Sequence, residues 1–281
     1  MQNKTVVVTG GTSGIGEVAA VHLAGQGARI VLIARDAARA DATLAKLKAA
    51  NASALHSVHL ADLSSIAEMK RVAAEIAAAE PSIDVLINNA GAVFLSRKLS
   101  ADGLEMTFAT NHMAYFVVTN ILLPNLKATP GARIVSTASD AHKSGKLDFA
   151  DLQSQKSYGS FRAYGTSKLC NILFTRALAT RLGQGGVTAN CLHPGFVGTR
   201  FGQNNATNVF LKALAGAIMA FGLKPEDGAR TIIHLASSPD VATISGEYFY
   251  KCKVAEPSLA AQSDADAKRL WDVSAQIAGL G

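Results

Sequence analysis

Seven short apolar runs alternate with longer helical patterns along this chain, and that rhythm restricts it to a parallel sheet covered on both faces by helices. The runs fall at 5–8, 29–34, 54–59, 84–87, 133–137, 188–192 and 247–250. Between them, segments such as 15–26, 37–50, 66–79 and 103–126 carry Ala and Leu at helical spacing. A chain of 281 residues exceeds the usual domain of ~100 to 200, yet doubly wound α/β sheets run longer as one unit. No internal repeat and no long Gly/Ser linker divides it. Two stretches break the rhythm: 140–162, polar and loop-like, and 199–224, which combines Asn204-Asn205 with an apolar helix. Irregular insertions of this kind are commonly lids and binding loops.

Apolar residues make up 49% of the chain and charged ones only 17%, so a substantial core is available. The net charge of +6 is dispersed, without a block of basic residues interleaved with aromatics, which excludes a nucleic-acid tract and suits an anionic small ligand. Cys170, Cys191 and Cys252 are odd in number and lack C-x-x-C spacing, arguing against a disulfide framework or a zinc site and for a reducing cytoplasm. Met1-Gln2-Asn3-Lys4 leads straight into the first strand, so neither a signal peptide nor an anchor is expected. The longest apolar stretch, 209–223, contains Lys212 and is shorter than the ~20 residues a membrane span needs, so a soluble chain is expected.

Thr9-Gly10-Gly11-Thr12-Ser13-Gly14-Ile15-Gly16 follows the first strand and opens the first helix. Glycines there allow a tight turn and let backbone N–H groups and the positive helix end approach a pyrophosphate. The spacing of Gly10, Gly14 and Gly16 departs from G-x-G-x-x-G, so the strand before and the helix after carry the nucleotide reading. At the end of the second strand the chain reads Ala34-Arg35-Asp36. An acid about twenty residues on would make Asp36 the ribose ligand and select NAD. The Arg35 guanidinium instead suits a 2′-phosphate and favours NADP(H) over NAD(H), unless Arg35 is a solvated loop charge and Asp36 a helix N-cap.

Tyr164 and Lys168 lie four residues apart, on one face of a helix, where an ammonium favours phenolate and lowers a hydroxyl pKa that starts near ~10. Among the five tyrosines only Tyr164 has Lys at that distance. Ser136, Thr137 and Ser139 compete for a hydrogen bond to a substrate carbonyl. His112, His142 and His193 are scattered, which suits structural hydrogen bonding or substrate contact better than a metal site. Cys170 and Cys191 are expected to pack as small apolar residues.

Taken in order, Thr9 to Gly16, Asn88-Asn89-Ala90-Gly91, Ser139, Tyr164-x-x-x-Lys168 and Pro194-Gly195 resemble the classical short-chain dehydrogenase/reductases over essentially the whole chain. Asn111-His112-Met113-Ala114-Tyr115-Phe116, the run Ser167 to Phe174 and Leu270-Trp271-Asp272-Val273-Ser274 are similar to the retinol-dehydrogenase-like branch. The resemblance implies a single-domain, doubly wound Rossmann fold over 1–281 with a mostly parallel seven-stranded sheet. The cofactor half would be about 1–130, the catalytic and substrate half about 131–281, and a lid 199–224.

It further implies Tyr164 as acid/base, Lys168 lowering its pKa and bonding the nicotinamide ribose, Ser139 polarising the carbonyl, and Asn111 fixing a water in a proton relay. Asp62 and Leu63 match positions beside the adenine. Asn88, Ala90 and Gly91 match the loop beside the cofactor ribose, and Pro194, Gly195, Val197 and Thr199 the segment beneath the nicotinamide. A homodimer or homotetramer is the family's habit. The function expected is NADP(H)-dependent hydride transfer between nicotinamide and a carbonyl or alcohol. Phe201, Val209, Phe210, Leu211, Leu214, Ile218, Met219 and Phe221 either close over a lipophilic substrate, such as a retinoid, steroid, polyketide or aromatic ketone, or form an ordinary buried helix. The alternative is a non-catalytic NADP-binding redox-sensing regulator on the same fold.

Overall fold

The computed structural model describes residues 1–196 and 223–281. Among these, β1 (Thr5–Thr9), β2 (Arg29–Ala34), β3 (Ser57–Leu60), β4 (Val85–Asn88), β5 (Arg133–Thr137), β6 (Thr188–His193), β7 (Tyr248–Tyr250) and β8 (Lys253–Val254) form one sheet in the order β3-β2-β1-β4-β5-β6-β7-β8. Pairing is parallel from β3 to β7, and β8 alone is antiparallel. The mostly parallel sheet is as expected, with one strand more than the seven runs suggest. Lys251 and Cys252, both at positive φ, turn the chain back on itself and add a two-residue edge strand too short for any periodicity to reveal.

Among the described residues the α-helices are α1 (Gly14–Gly25), α2 (Ala37–Ala50), α3 (Ile66–Ala79), α4 (Met106–Phe108), α5 (Ala114–Lys127), α6 (Ser160–Leu182), α7 (Pro225–Ser237) and α8 (Asp264–Ala278). They cover both faces of the sheet, which is why the strands are apolar at nearly every position. Val6 and Val8 pack with Ile30, Leu32, Ile87 and Val135 beneath α1 and α7. Val7 points the other way and joins Val31, Ile33, Leu86 and Ile134 against α3, α5 and α6. α8 lies outside α6: Trp271 stacks on Phe174 at 5.8 Å, meets Phe116 edge-on at 4.9 Å, and carries the Arg181 guanidinium 4.2 Å from its ring centroid. Among the described residues no helix is long and apolar enough to cross a membrane.

Because β1 lies between β2 and β4, chain order reverses there, and the turns after β1 and β4 meet at the carboxyl edge of the sheet. That crevice is where doubly wound sheets bind ligands. The helix expected over 103–126 is broken. Glu105 caps the single turn of α4 by accepting from Thr107 N and Phe108 N, both at 2.9 Å, and a π turn over Ala109–Met113 then inserts before α5. The wider turn buries both Asn111 and His112, and π turns of this kind recur at functional sites. Val197, Thr199 and the expected lid as far as residue 222 lie outside the described residues; Leu223 and Lys224 are within them.

Candidate functional site

The glycine turn after β1 is locked to the loop after β4. Thr9 Oγ1 accepts from Asn89 N at 2.9 Å and Ala90 N at 3.0 Å, and Asn89 Nδ2 donates to Gly10 O at 3.0 Å. Gly10 has φ +66°, and a Cβ there would lie 2.7 Å from Ala90 Cα, so a side chain would force the two loops apart. Ser13, extended at the head of α1, makes no side-chain cap, which leaves the first-turn N–H groups of that helix to an external acceptor. The turn Gly10, Thr12, Ser13, Gly14, Ile15, Gly16 therefore fits a pyrophosphate.

At the end of β2, Arg35 is exposed, while Asp36 caps α2 by accepting from Arg39 N at 2.9 Å. The N-cap reading of Asp36 holds, and its carboxylate is engaged by its own helix. Asp62 closes a local turn, accepting from Ser64 N at 3.0 Å and Ser64 Oγ at 2.9 Å, beside the buried Leu63. Asn88 donates from Nδ2 to Thr119 Oγ1 at 2.9 Å inside the core, so any contact it makes with a ligand falls to its main chain.

The second cluster gathers where β5 ends and α6 begins. Ser139 heads a 3-10 turn, Asp140–Ser144, with its Oγ accepting from Ala141 N at 3.2 Å and set close enough to Tyr164 to lower its hydroxyl pKa. Ser136 and Thr137 point elsewhere: Ser136 is buried, and Thr137 Oγ1 donates to Asn89 Oδ1 at 3.3 Å. Ser139 is the member of the trio that faces the tyrosine. The turn reaches Tyr164 because two glycines let backbones touch. A Cβ on Gly165 would lie 2.7 Å from Ala141 O and 2.8 Å from Ser144 Oγ. Gly165→Ala is expected to cost about 1–3 kcal/mol of stability through overpacking and roughly tenfold in turnover through displacement of Ser139 from Tyr164, read by melting temperature and kcat.

Lys168, buried one turn below Tyr164, donates to Thr137 O at 3.0 Å and lies 5.6 Å from the Tyr164 ring centroid and 5.7 Å from that of Tyr115. Burial pushes the Tyr164 hydroxyl up to about 12, against the lowering hydrogen bond from Ser139, and pushes Lys168 down to about 7. Desolvation is the largest influence on both groups, and the ammonium sits over the ring face with one of its three N–H groups donated to a carbonyl.

Asn111 is held through its side chain. Its Oδ1 accepts from Ala92 N at 2.8 Å, and its Nδ2 donates to Ala92 O and Ser167 Oγ, both at 3.0 Å. The side chain thus fastens the loop after β4 to α6. A Cβ on Gly91 would lie 3.3 Å from Asn111 Oδ1 and 3.6 Å from Lys168 Nζ, which puts this loop beside the lysine.

Pro194 and Gly195 follow β6, with Gly195 packed on the Leu223 side chain. Cys170 and Cys191 are buried with thiols pushed up to about 12, in keeping with packing roles. The three histidines all hold structural hydrogen bonds: His112 Nε2 lies 2.8 Å from Ser274 Oγ, His142 contacts Ser139 O, and His193 accepts from Asp140 N. Sequence reasoning missed the Thr137 carbonyl on which Lys168, Asn171 and Tyr115 converge, and the contact between Gly145 and Gly165. A main-chain acceptor has no residue signature.

Residues 4–209 match the model of the short chain dehydrogenase family. Retinol dehydrogenase 14 of Homo sapiens is 40% identical over 294 residues, spanning 100% of this chain and 88% of the relative. A short chain dehydrogenase from Burkholderia cenocepacia in complex with NADP is 28% identical with a TM-score of 0.70, covering 88% of this chain and 96% of that one. The Pseudomonas aeruginosa RhlG/NADP active-site complex is 28% identical with a TM-score of 0.69, covering 89% and 94% respectively. Sequence over the full length and overall fold agree: the chain belongs to the short-chain dehydrogenase/reductases, near their retinol dehydrogenase branch, and is an oxidoreductase that uses a nicotinamide cofactor.

Proposed function

We propose that this oxidoreductase is NADP(H)-dependent and moves hydride between nicotinamide and a lipophilic carbonyl or alcohol. The observation that carries the reading is the meeting of Ser139 and Tyr164, with Lys168 one turn below, at the same sheet edge as the Gly10 turn. Bound nicotinamide supplies or accepts the hydride. Ser139 and Tyr164 hydrogen-bond the substrate oxygen, where negative charge develops during reduction, and Tyr164 hands over its proton. A phenol held up to about 12 is a proton donor throughout the neutral range, which suits carbonyl reduction. Lys168, beside the loop at Gly91, is assigned to the nicotinamide ribose. Asn111 keeps that loop in register with α6.

NADP preference rests on Arg35, exposed and uncommitted to α2, next to an Asp36 that is already engaged. The lipophilic preference rests on apolar surface at the rim. Phe161, one turn before Tyr164, is 75% exposed, and Phe196 is 63% exposed at the bridge its carbonyl makes with Leu223 N. The retinol dehydrogenase relatives make a retinoid the first probe. Oxidation of NADPH, followed by absorbance with all-trans-retinal, a steroid ketone and an aromatic ketone, tests the reading; cofactor binding without turnover of any carbonyl would point to a sensor instead. In the same assay Arg35→Ala is expected to weaken NADPH by roughly tenfold or more, the value of a charge-assisted hydrogen bond, and NADH much less. Equal losses would make Arg35 a bystander.

A further inference from the structure

The peptide group that follows Ser139 is held at both ends by imidazoles from different parts of the fold. His142, buried within the 3-10 turn, has Nδ1 2.7 Å from Ser139 O and Nε2 3.0 Å from Ser258 N. A carbonyl only accepts and a backbone N–H only donates. One neutral tautomer therefore satisfies both contacts, with Nδ1–H donating to Ser139 O and Nε2 accepting from Ser258 N. His193, the last residue of β6, accepts from Asp140 N through Nδ1 at 3.1 Å, while its ring stacks on Tyr250 at 5.0 Å. It must carry its hydrogen on Nε2, the opposite tautomer.

Ser139 O and Asp140 N belong to a single planar peptide unit. Gripping its C=O from one side and its N–H from the other fixes the plane, and with it the direction in which Cα(139) presents the hydroxyl. The two anchors are themselves rigid. His142 is closed against Tyr248, with ring centroids 5.3 Å apart, and is tied to the C-terminal segment through Ser258, and His193 ends a central strand. Burial holds both imidazoles below their ordinary value despite the nearby Asp140 carboxylate, so the accepting nitrogens are free of protons at neutral pH.

We propose that His193 and His142 are positioning residues for Ser139, orienting its hydroxyl toward Tyr164 and the substrate oxygen through the intervening peptide group. This rests on Ser139 being the carbonyl-binding residue. Neither ring touches substrate in this arrangement; each acts through the backbone of the turn.

His193→Phe keeps a ring against Tyr250 but has no acceptor, and His193→Asn restores one, its side-chain oxygen standing where Nδ1 was. With NADPH and the carbonyl that the parent enzyme turns over fastest in the panel above, His193→Phe is expected to lower kcat by about tenfold, with KM for NADPH changed less than about threefold. His193→Asn is expected to recover about a third or more of the parent kcat. Equal rates for the Phe and Asn variants would overturn the proposal. Ser139→Ala separates the two layers of the argument. If it turns over normally, the role of Ser139 itself fails. If it is slow while His193→Phe is as fast as the parent, Ser139 stands and the positioning role falls. Without any substrate, ring 15N shifts give the tautomers: Nδ1–H on His142 and Nε2–H on His193 are expected, and an Nδ1–H tautomer on His193 would overturn the proposal.

Discussion

Tyr164→Phe is expected to lower turnover by about 10²- to 10⁴-fold, the range of a general acid, while NADPH affinity changes less than about threefold. The substitution removes one oxygen and leaves the ring, so the face beneath Lys168 Nζ at 5.6 Å persists. Ser139 Oγ keeps its bond from Ala141 N, and the 3-10 turn keeps its cap. What disappears is a hydroxyl that burial keeps protonated, with a pKa pushed up to about 12, and so a proton donor at every pH where the protein is assayed. Stopped-flow hydride transfer in the parent and variant reads the chemical step, and fluorescence titration with NADPH reads binding. A variant with near-normal turnover would remove Tyr164 from the chemistry altogether.

The parts of this site that were legible in the sequence are those where a residue type is itself the requirement. Glycines at 10 and 16 announce a backbone that must approach another backbone, Gly14 takes a positive φ, and the Tyr164–Lys168 spacing places two side chains on one helical face. The sheet was legible because strands buried on both faces are apolar throughout, as Arg29–Ala34 and Thr188–His193 are. The π turn at Asn111 was not, since one extra residue in a helix leaves its apolar pattern nearly intact. The burial of the Tyr164–Lys168 pair was not legible either. Helical spacing gives the proximity of Lys168 to Tyr164, but only the fold gives the depth at which both are buried, and depth decides the direction of each shift. The two histidines that grip the Ser139–Asp140 peptide come from residues 142 and 193, with no local pattern linking them.

Lys168→Met is expected to separate function from stability, losing roughly 10²-fold in turnover while melting no lower, and at pH 6 higher, than the parent. The functional loss follows from removing the cation that, among the described residues, lies between Tyr164 and the loop at Gly91. The stability gain follows from its burial. A lysine whose folded pKa is about 7, against the ordinary 10.5, is penalised in the folded state wherever the unfolded chain keeps it charged. Below about pH 7 the penalty is complete, on the order of a few kcal/mol at ~1.4 kcal/mol per unit; it fades as pH rises from about 7 toward 10.5. Stability of the parent should therefore climb over that window through this group, and the methionine variant should lack that part of the slope. Tyr164 acts oppositely and later, because a phenol raised to about 12 is penalised only once the unfolded chain ionises, above about pH 10. Nor does the substitution strand a buried acceptor. Thr137 O retains the Asn171 amide at 3.3 Å and the Tyr115 hydroxyl at 3.5 Å, and methionine fills the apolar stem of the lysine. Melting temperatures of both proteins at pH 6, 7.5 and 9 decide the matter: a variant that melts well below the parent at pH 6 would show that Lys168 stabilises the fold.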